Sequence, residues 1–263
     1  MTTTTLASIL EEALRRVADL RPKARQLERA AASAPPGPDF ESALRGSSVG
    51  IIAEVKRRSP SAGPIRADLD PEVHARACVR GGAVAISVLT DAAHFGGSVE
   101  DLRRVARAVP VPALRKDFIV DVLQLLEARA AGASGALLIV RALPPDRLRA
   151  LAREARGLGL ATLIEAHSEA ELDLAVGAEP TAIGINSRDL DTFAVDLPAA
   201  EQLLTRVPAT VPAVAESGVE GREDLERLAA CGADLVLVGT SVARAADPEA
   251  AVRALCGVTR RGR

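Results

Sequence analysis

A carboxylate and an ammonium group stand two residues apart at the end of one apolar run in this sequence. The run covers residues 51–55 and contains Glu54. Lys56 follows it directly, and Ser59 and Pro60 then form a turn. Side chains two residues apart in a β-strand point to the same side. Two charges on one face pack poorly, but acid–base chemistry needs such groups. The stretch therefore predicts a first strand whose end carries chemistry.

Lysine is rare in this chain. Only Lys23, Lys56 and Lys116 occur among 33 basic residues, because arginine occupies nearly every other basic position. An ammonium group can be tuned to give up a proton, whereas a guanidinium group stays charged. Lys56 and Lys116 both end apolar runs of strand length. Although three residues are a small sample, this placement favours functional roles for the two lysines.

Length and composition are typical of a chain with one sizeable core. The 263 residues are 48% apolar and 26% charged, and the net charge of −2 indicates neither a nucleic-acid partner nor an anionic membrane. No apolar run approaches the ~20 residues of a transmembrane helix, and the N-terminus lacks the features of a secretion signal. Three widely spaced cysteines favour a reducing compartment over disulfides or a zinc site. We therefore expect a cytoplasmic protein.

From residue 49 onward, short apolar runs alternate with amphipathic stretches. Strands are predicted at 49–55, 83–89, 111–115, 135–140, 160–165, 181–186, 211–216 and 234–238. Helices are predicted near 70–80, 98–108, 121–131, 144–157, 168–177, 198–206, 220–230 and 247–256. This alternation indicates parallel strands with right-handed crossovers, and hence an α/β fold, a (β/α)8 TIM barrel. The alternative is an open doubly wound sheet, but no glycine-rich dinucleotide motif follows the first strand.

The residues before the first strand predict a helical extension. Apolar residues recur at helical spacing over 5–32, and Pro22 is expected to divide this segment into two helices. A turn at 34–39 and a short helix at 39–45 lead into the first strand. We interpret residues 1–263 as one barrel domain with residues 5–45 as its N-terminal helical extension.

In such a barrel, functional groups lie at the carboxyl ends of the strands. Six acid–base or amide side chains are predicted at these ends, namely Glu54, Lys56, Lys116, Glu165, Asn186 and Glu216. Folding alone does not readily explain three carboxylates, two ammonium groups and an amide on one rim.

Six segments at these strand ends, or in the loops after them, resemble indole-3-glycerol phosphate synthases, the ring-closing enzymes of tryptophan biosynthesis. The segments are 53–61, 86–90, 95–98, 114–120, 185–190 and 215–218. They occur in family order with near-family spacing. The resemblance implies a lyase on a barrel with N-terminal helices, without a metal or organic cofactor. The implied substrate is a small phosphosugar, 1-(2-carboxyphenylamino)-1-deoxyribulose 5-phosphate, and the products are indole-3-glycerol phosphate, CO2 and water.

Ring closure places negative charge on the ketone oxygen of the substrate, so an acid should supply a proton there. The resemblance assigns this role to Lys116, although pairing with Asp117 would be a purely structural alternative. Lys56 is expected to hold the substrate carboxylate until CO2 leaves, with a simple salt bridge to a neighbouring glutamate as the alternative. Glu165 is the first candidate for the base of the dehydration step, and Glu54 is the second.

The remaining polar residues are expected to support these groups. Asn186 is expected to bind substrate oxygens and orient Glu165, and Glu216 to bind a substrate hydroxyl group or orient a lysine. His167 is expected to form hydrogen bonds behind the site, and His74 to be exposed to solvent.

The substrate phosphate needs backbone N–H groups and hydroxyl groups, which the loops after strands seven and eight supply in barrels. The candidates are Ser217, Gly218, Gly239, Thr240 and Ser241, together with Ser59. Ordinary βα turns would also favour glycine and serine. The carboxyphenyl ring needs an apolar slot, for which Leu89, Phe95 and Phe118 are the candidates. Arg188 is expected either to contact the substrate or to clamp loop carboxylates.

Other barrel functions stay open on the sequence. A phosphosugar isomerase would explain the phosphate loops but would leave Lys56 and Lys116 without a role. An aldolase would need one desolvated lysine that forms a Schiff base. A non-catalytic phosphosugar-binding barrel would not need the acids and bases of the rim. The sequence does not distinguish a monomer from a homodimer.

Overall fold

Eight parallel strands close into a barrel in the computed structural model, which describes residues 5–262. The strands are β1 (Gly50–Val55), β2 (Ala85–Leu89), β3 (Ala113–Lys116), β4 (Gly135–Ile139), β5 (Ala161–Ala166), β6 (Ala182–Asn186), β7 (Ala213–Glu216) and β8 (Leu235–Val238). Each strand pairs with its neighbours in chain order, and β8 pairs with β1 to complete the ring. The barrel prediction is confirmed, and the open sheet is excluded. Residues 1–4, at the N-terminus for which no secretion signal is predicted, lie outside the described range.

Helices cover the outside of the barrel. They are α1 (Leu6–Leu20), α2 (Ala24–Ser33), α3 (Phe40–Ala43), α4 (Pro71–Gly81), α5 (Ala92–Phe95), α6 (Val99–Ala108), α7 (Val122–Ala130), α8 (Pro145–Gly157), α9 (Glu169–Val176), α10 (Leu197–Leu204), α11 (Arg222–Ala230), α12 (Thr240–Arg244) and α13 (Pro248–Leu255). The predicted barrel elements agree with these bounds to within about two residues. The sequence did not predict α5, α12 or the hairpin of Arg58–Ser59 with Gly63–Pro64, because such short elements show no periodicity.

Two apolar layers explain why the strand segments are apolar along their whole length. Alternate residues such as Ile52, Leu114 and Leu163 fill the barrel interior. Their neighbours, such as Ile51 and Val88, pack against the helices. Strands of a parallel barrel are buried on both faces, so their sequences do not alternate with polar residues.

The N-terminal extension lies across the barrel rim. A 3-10 turn at Arg21–Lys23 separates α1 from α2, in agreement with the expected break at Pro22. Ile9 on α1 packs in the same apolar cluster as Phe118 and Leu190, which lie in loops after β3 and β6. The extension thus contributes directly to the core above the strand ends.

His74 is buried, so the prediction that it is exposed to solvent is wrong. It lies on α4 with 4% of its surface exposed, next to the buried residues Ala75 and Cys78. The helical spacing of 74, 75 and 78 indicates a buried face, but the polarity of histidine suggested otherwise. Burial, with Arg66 nearby, lowers the pKa of His74 to about 4.

Candidate active site

A cavity of about 910 Å³ opens at the carboxyl ends of the strands. All the residues predicted for the site line it: Glu54, Lys56, Ser59, Leu89, Phe95, Lys116, Phe118, Glu165, Asn186, Arg188, Glu216, Ser217, Gly218, Gly239 and Thr240. The parallel topology brings them together because every strand delivers its carboxyl end to the same rim.

Lys116 ends β3, and its ammonium group lies between two buried carboxylates. The Nζ atom is 2.9 Å from Oε2 of Glu165 and 3.0 Å from Oε2 of Glu216. Burial disfavours the charge on Lys116, but the two carboxylates outweigh burial and raise its pKa above the ordinary value. Asp117 instead pairs with Arg115 and Arg16, so the structural alternative for Lys116 is wrong.

Glu165 and Glu216 form a buried carboxyl pair, and both contact the ammonium group of Lys116. Burial raises the pKa of Glu216 to about 8, and the neighbouring Glu165 carboxylate adds to this effect against the attraction of Lys116. Burial also opposes ionisation of Glu165, but the charge of Lys116 outweighs it. Together with the nearby side chains of His167 and Asn186, Lys116 lowers the pKa of Glu165 to about 2. The pair therefore holds one proton near neutral pH, which leaves one carboxylate and one carboxylic acid beside Lys116.

The strand register places this pair, and a glycine makes room for it. Asn186 on β6 lies beside Glu216 on β7, and Gly184 lies beside Glu165 on β5. A Cβ atom at Gly184 would collide with Oε1 of Glu216. The sequence analysis missed Gly184, although a glycine inside a strand often marks a close approach.

Lys56 forms a salt bridge with Glu54 at the end of β1. The Nζ atom lies 2.8 Å from Oε1 of Glu54, and the two side chains are 14% and 5% exposed. The structural alternative for Lys56 is thus present in the free protein, and both side chains also line the cavity. A Cβ atom at Gly239 would collide with Glu54, so the loop after β8 packs directly against this ion pair.

The loops after β7 and β8 lie next to the hairpin after β1 in the barrel order. Ser217 and Gly218 have φ angles of 68° and 76°, so Ser217 adopts a left-handed conformation that is uncommon for a non-glycine residue. Ser241 donates its hydroxyl hydrogen bond to the carbonyl of Val219, and Ser59 accepts one from the N–H of Ala62. Arg244, at the end of α12, also lines the cavity and was not predicted.

Side chains from the loops after β2 and β3 form an apolar wall of the cavity. The rings of Phe95 and Phe118 lie 6.4 Å apart between centroids. Further apolar residues that were not predicted also line the cavity, among them Leu137, Ile139, Leu190 and Phe193. Arg188 donates a hydrogen bond to the carbonyl of Phe193 at 2.9 Å, so it clamps this loop through a carbonyl group and not through a carboxylate as expected.

His167 lies behind Glu165, as predicted. Its Nε2 atom is 3.5 Å from Oε1 of Glu165, and its Nδ1 atom is 3.2 Å from Oε2 of Glu171. Within residues 5–262, no group of three or more His, Cys, Asp or Glu side chains is arranged to hold a metal ion. In the same range, no helix has the length and apolar character needed to cross a membrane.

Comparisons with a family model and with known proteins agree on one family. A family model described as indole-3-glycerol phosphate synthase matches residues 6–255. A Streptomyces coelicolor protein named indole-3-glycerol phosphate synthase 2 is 48% identical over 238 residues, which cover 90% of this chain and 92% of the relative. Proteins named indole-3-glycerol phosphate synthase from Mycobacterium ulcerans and a Nocardioides species are 47% and 50% identical. These matches cover 86% and 85% of this chain and 84% of each relative.

Two solved structures have a similar fold at low sequence identity. Thiamine phosphate pyrophosphorylase from Pyrococcus furiosus superposes with a TM-score of 0.59 at 19% identity, covering 80% of this chain and 94% of that chain. For 3-hexulose-6-phosphate synthase from Salmonella typhimurium, the TM-score is 0.60 at 16% identity, with coverage of 79% and 96%. At such low identity, these two matches support the barrel fold alone.

Proposed function

Because the chain belongs to the indole-3-glycerol phosphate synthase family, we propose how its rim residues divide the work of the family reaction. This carboxy-lyase reaction converts 1-(2-carboxyphenylamino)-1-deoxyribulose 5-phosphate to indole-3-glycerol phosphate, CO2 and water. One observation carries the proposal. Lys116 is held between Glu165 and Glu216 in the same cavity as Lys56 and the loops after β7 and β8.

Ring closure begins when the aryl carbon that bears the carboxylate attacks the C2 ketone. The ketone oxygen gains negative charge, and Lys116 supplies the proton that neutralises it. The Glu165 carboxylate keeps Lys116 protonated in the free enzyme, and Glu165 and Glu216 together hold its side chain in one orientation. Positioning of this kind lowers the barrier because the acid needs no further rearrangement when the substrate binds.

Decarboxylation requires the substrate carboxylate to be held until the new ring has formed. Lys56 is the cation for this step, and it exchanges part of its salt bridge with Glu54 for the substrate carboxylate. Loss of CO2 then restores the aromatic ring. Because a carboxylate leaves as neutral CO2, the overall reaction takes up one proton.

Dehydration requires a base that removes a proton from the ring nitrogen or from C1. It also requires an acid that protonates the departing hydroxyl group. Glu165 is the base, because Lys116 and Asn186 keep it ionised. Glu54 is the second candidate for the base, and its salt bridge orients Lys56. Lys56 supplies the proton to the hydroxyl group, and Glu216, which holds a proton near neutral pH, binds a substrate hydroxyl group beside it.

The two ends of the substrate have separate surfaces in the cavity, and Phe118 after β3 and Ser217 after β7 are four strands apart in the eight-stranded ring. The phosphate binds to the loops after β7 and β8 and to the hairpin after β1, through Ser217, Gly218, Gly239, Thr240 and Ser59. The carboxyphenyl ring lies against Leu89, Phe95 and Phe118, with Arg188 at the edge.

We further propose that the extension and the barrel form a single domain, because Ile9 shares a core cluster with Phe118 and Leu190. The three free cysteines support a cytoplasmic location.

Direct turnover of the carboxyphenylamino substrate tests the function. The enzyme should produce indole absorbance and fluorescence together with CO2, against low background because the chain has no tryptophan or tyrosine. An isomerase would release neither indole nor CO2. An aldolase would be trapped covalently by borohydride in the presence of substrate. Either of those results without indole formation would refute the proposal.

A further inference from the structure

A guanidinium group joins the N-terminal extension to the barrel beside the cavity. Arg16 on α1 donates hydrogen bonds from Nη1 to Oδ2 of Asp117 at 3.0 Å and from Nη2 to Oδ1 at 2.8 Å. Its Nη2 atom also lies 3.3 Å from Oδ2 of Asp91. Asp91 follows β2 and Asp117 follows β3, and their side chains are 1% and 0% exposed. Arg16 therefore contacts both turns at once from the N-terminal extension.

The two aspartates hold the backbone of these turns. Asp117 accepts hydrogen bonds from the N–H of Phe118 at 2.8 Å and from the hydroxyl of Thr90 at 2.5 Å. Asp91 caps α5 by accepting the N–H of His94 at 2.6 Å, and the next residue is Phe95. Each aspartate thus orients the turn that presents one of the two phenylalanines of the apolar wall.

Charge balance makes the guanidinium important for this arrangement. Besides Arg16, Asp117 has Arg115 as a cationic partner at 3.0 Å, and Asp91 has the side chain of His94 at 3.2 Å. Without Arg16, both buried carboxylates would lose the guanidinium group that they share. Buried carboxylates that lose a cationic partner repel each other and draw in water, so the two turns would separate.

We propose that Arg16 is a positioning residue for the slot that takes the carboxyphenyl ring. It holds the turns after β2 and β3 together, and so couples docking of α1 to substrate binding. Arg16 is not among the described residues that line the cavity, whereas its partners Asp91 and Asp117 line it together with Phe95 and Phe118. Arg16 therefore acts through these residues. The identity of the bound ring rests on the proposed function, whereas the contact between the turns does not.

A matched pair of variants on one helix tests this role. Arg15 is adjacent to Arg16, its side chain is 71% exposed, and it pairs only with Glu11 and Glu12 of its own helix among the described residues. We expect Arg16→Met to lower kcat/KM by about 10- to 100-fold, mainly through a higher KM, because the ring is misplaced. Arg15→Met should leave both constants unchanged, and Arg16→Lys should restore part of the loss. Equal KM values for Arg16→Met and Arg15→Met would overturn the proposal.

Hydrogen–deuterium exchange provides a readout that is independent of activity. Exchange at residues 91–96 and 117–121 should be faster in Arg16→Met than in Arg15→Met. If the wild-type enzyme forms no indole, the proposed function is refuted. The exchange comparison would still test whether Arg16 holds the turns after β2 and β3 together. Faster exchange with an unchanged KM would overturn the link to the slot. If Arg16→Met does not fold, Arg16→Lys and Arg15→Lys form the comparison, and equal KM and exchange in that pair would overturn the proposal.

Discussion

The proton shared by Glu165 and Glu216 gives the stability of this enzyme a distinctive pH dependence. The pKa of Glu216 rises from 4.5, its ordinary value, to about 8 in the folded protein because of burial. Between these values the folded protein binds the proton and the unfolded chain does not. The group therefore has no effect on stability below pH 4.5, destabilises the fold increasingly as the pH rises, and has its full effect above about pH 8.

Glu216→Gln should remove this pH dependence. Glutamine has the shape of the protonated acid and cannot ionise. The variant therefore keeps a neutral side chain beside Glu165, as the protonated Glu216 is near neutral pH. One proton corresponds to a slope of at most about 1.4 kcal/mol of unfolding free energy per pH unit. Between about pH 5 and pH 8, we expect the wild type to lose stability with a slope approaching this value relative to Glu216→Gln. The variant should equal or exceed the wild type at about pH 8.

Urea unfolding followed by far-UV circular dichroism across this pH range measures the effect. Glu223→Gln is the control, because Glu223 is exposed on α11. Parallel pH profiles for the wild type and Glu216→Gln would refute the shared proton. Since Glu165 is the base in the proposed mechanism, Glu165→Gln should also lose about 10²- to 10⁴-fold in turnover, more than Glu216→Gln.

Three further predictions concern single side chains. Lys56→Met should raise KM and lower turnover, each by about tenfold or more, since the substrate carboxylate loses its cation; steady-state constants equal to those of the wild type would contradict this role. Gly184→Ala should lower both activity and Tm, because the new methyl group collides with Glu216, whereas Gly157→Ala, with no neighbouring atoms within 4 Å, should lower neither. Because the pKa of His74 falls from 6.5 to about 4, wild-type stability should decrease as the pH falls through this range. His74→Leu should reduce that decrease by up to about 1.4 kcal/mol per pH unit. If urea unfolding shows that the wild type and His74→Leu lose stability equally as the pH falls, the buried neutral imidazole is refuted.

The barrel and its rim could be predicted from the sequence because both follow from local patterns. Apolar runs that alternate with amphipathic helices determine a parallel barrel, and the topology then places every strand end on one rim. Glu54, Lys56, Lys116, Glu165 and Glu216 could therefore be assigned to one cavity, although they are distributed over about 160 positions.

The pairings within the site could not be predicted, because they depend on tertiary contacts. Nothing in the spacing of Arg16 and Asp117, which are 101 residues apart, indicates that they touch. The position of Lys116 between Glu165 and Glu216 likewise depends on the strand register across β5, β6 and β7. Short elements such as α5 could not be predicted for a different reason, since four residues complete only about one helical turn and show no periodicity.

Lys116 is proposed to be the acid that starts ring closure, and the three lysines of the chain permit a direct test. Lys23 is exposed in the turn between α1 and α2, so Lys23→Met is a matched control for Lys116→Met. Single-turnover formation of indole from the carboxyphenylamino substrate should fall by about 10²- to 10⁴-fold in Lys116→Met and stay at the wild-type rate in Lys23→Met. Wild-type turnover by a correctly folded Lys116→Met enzyme would contradict this role for Lys116.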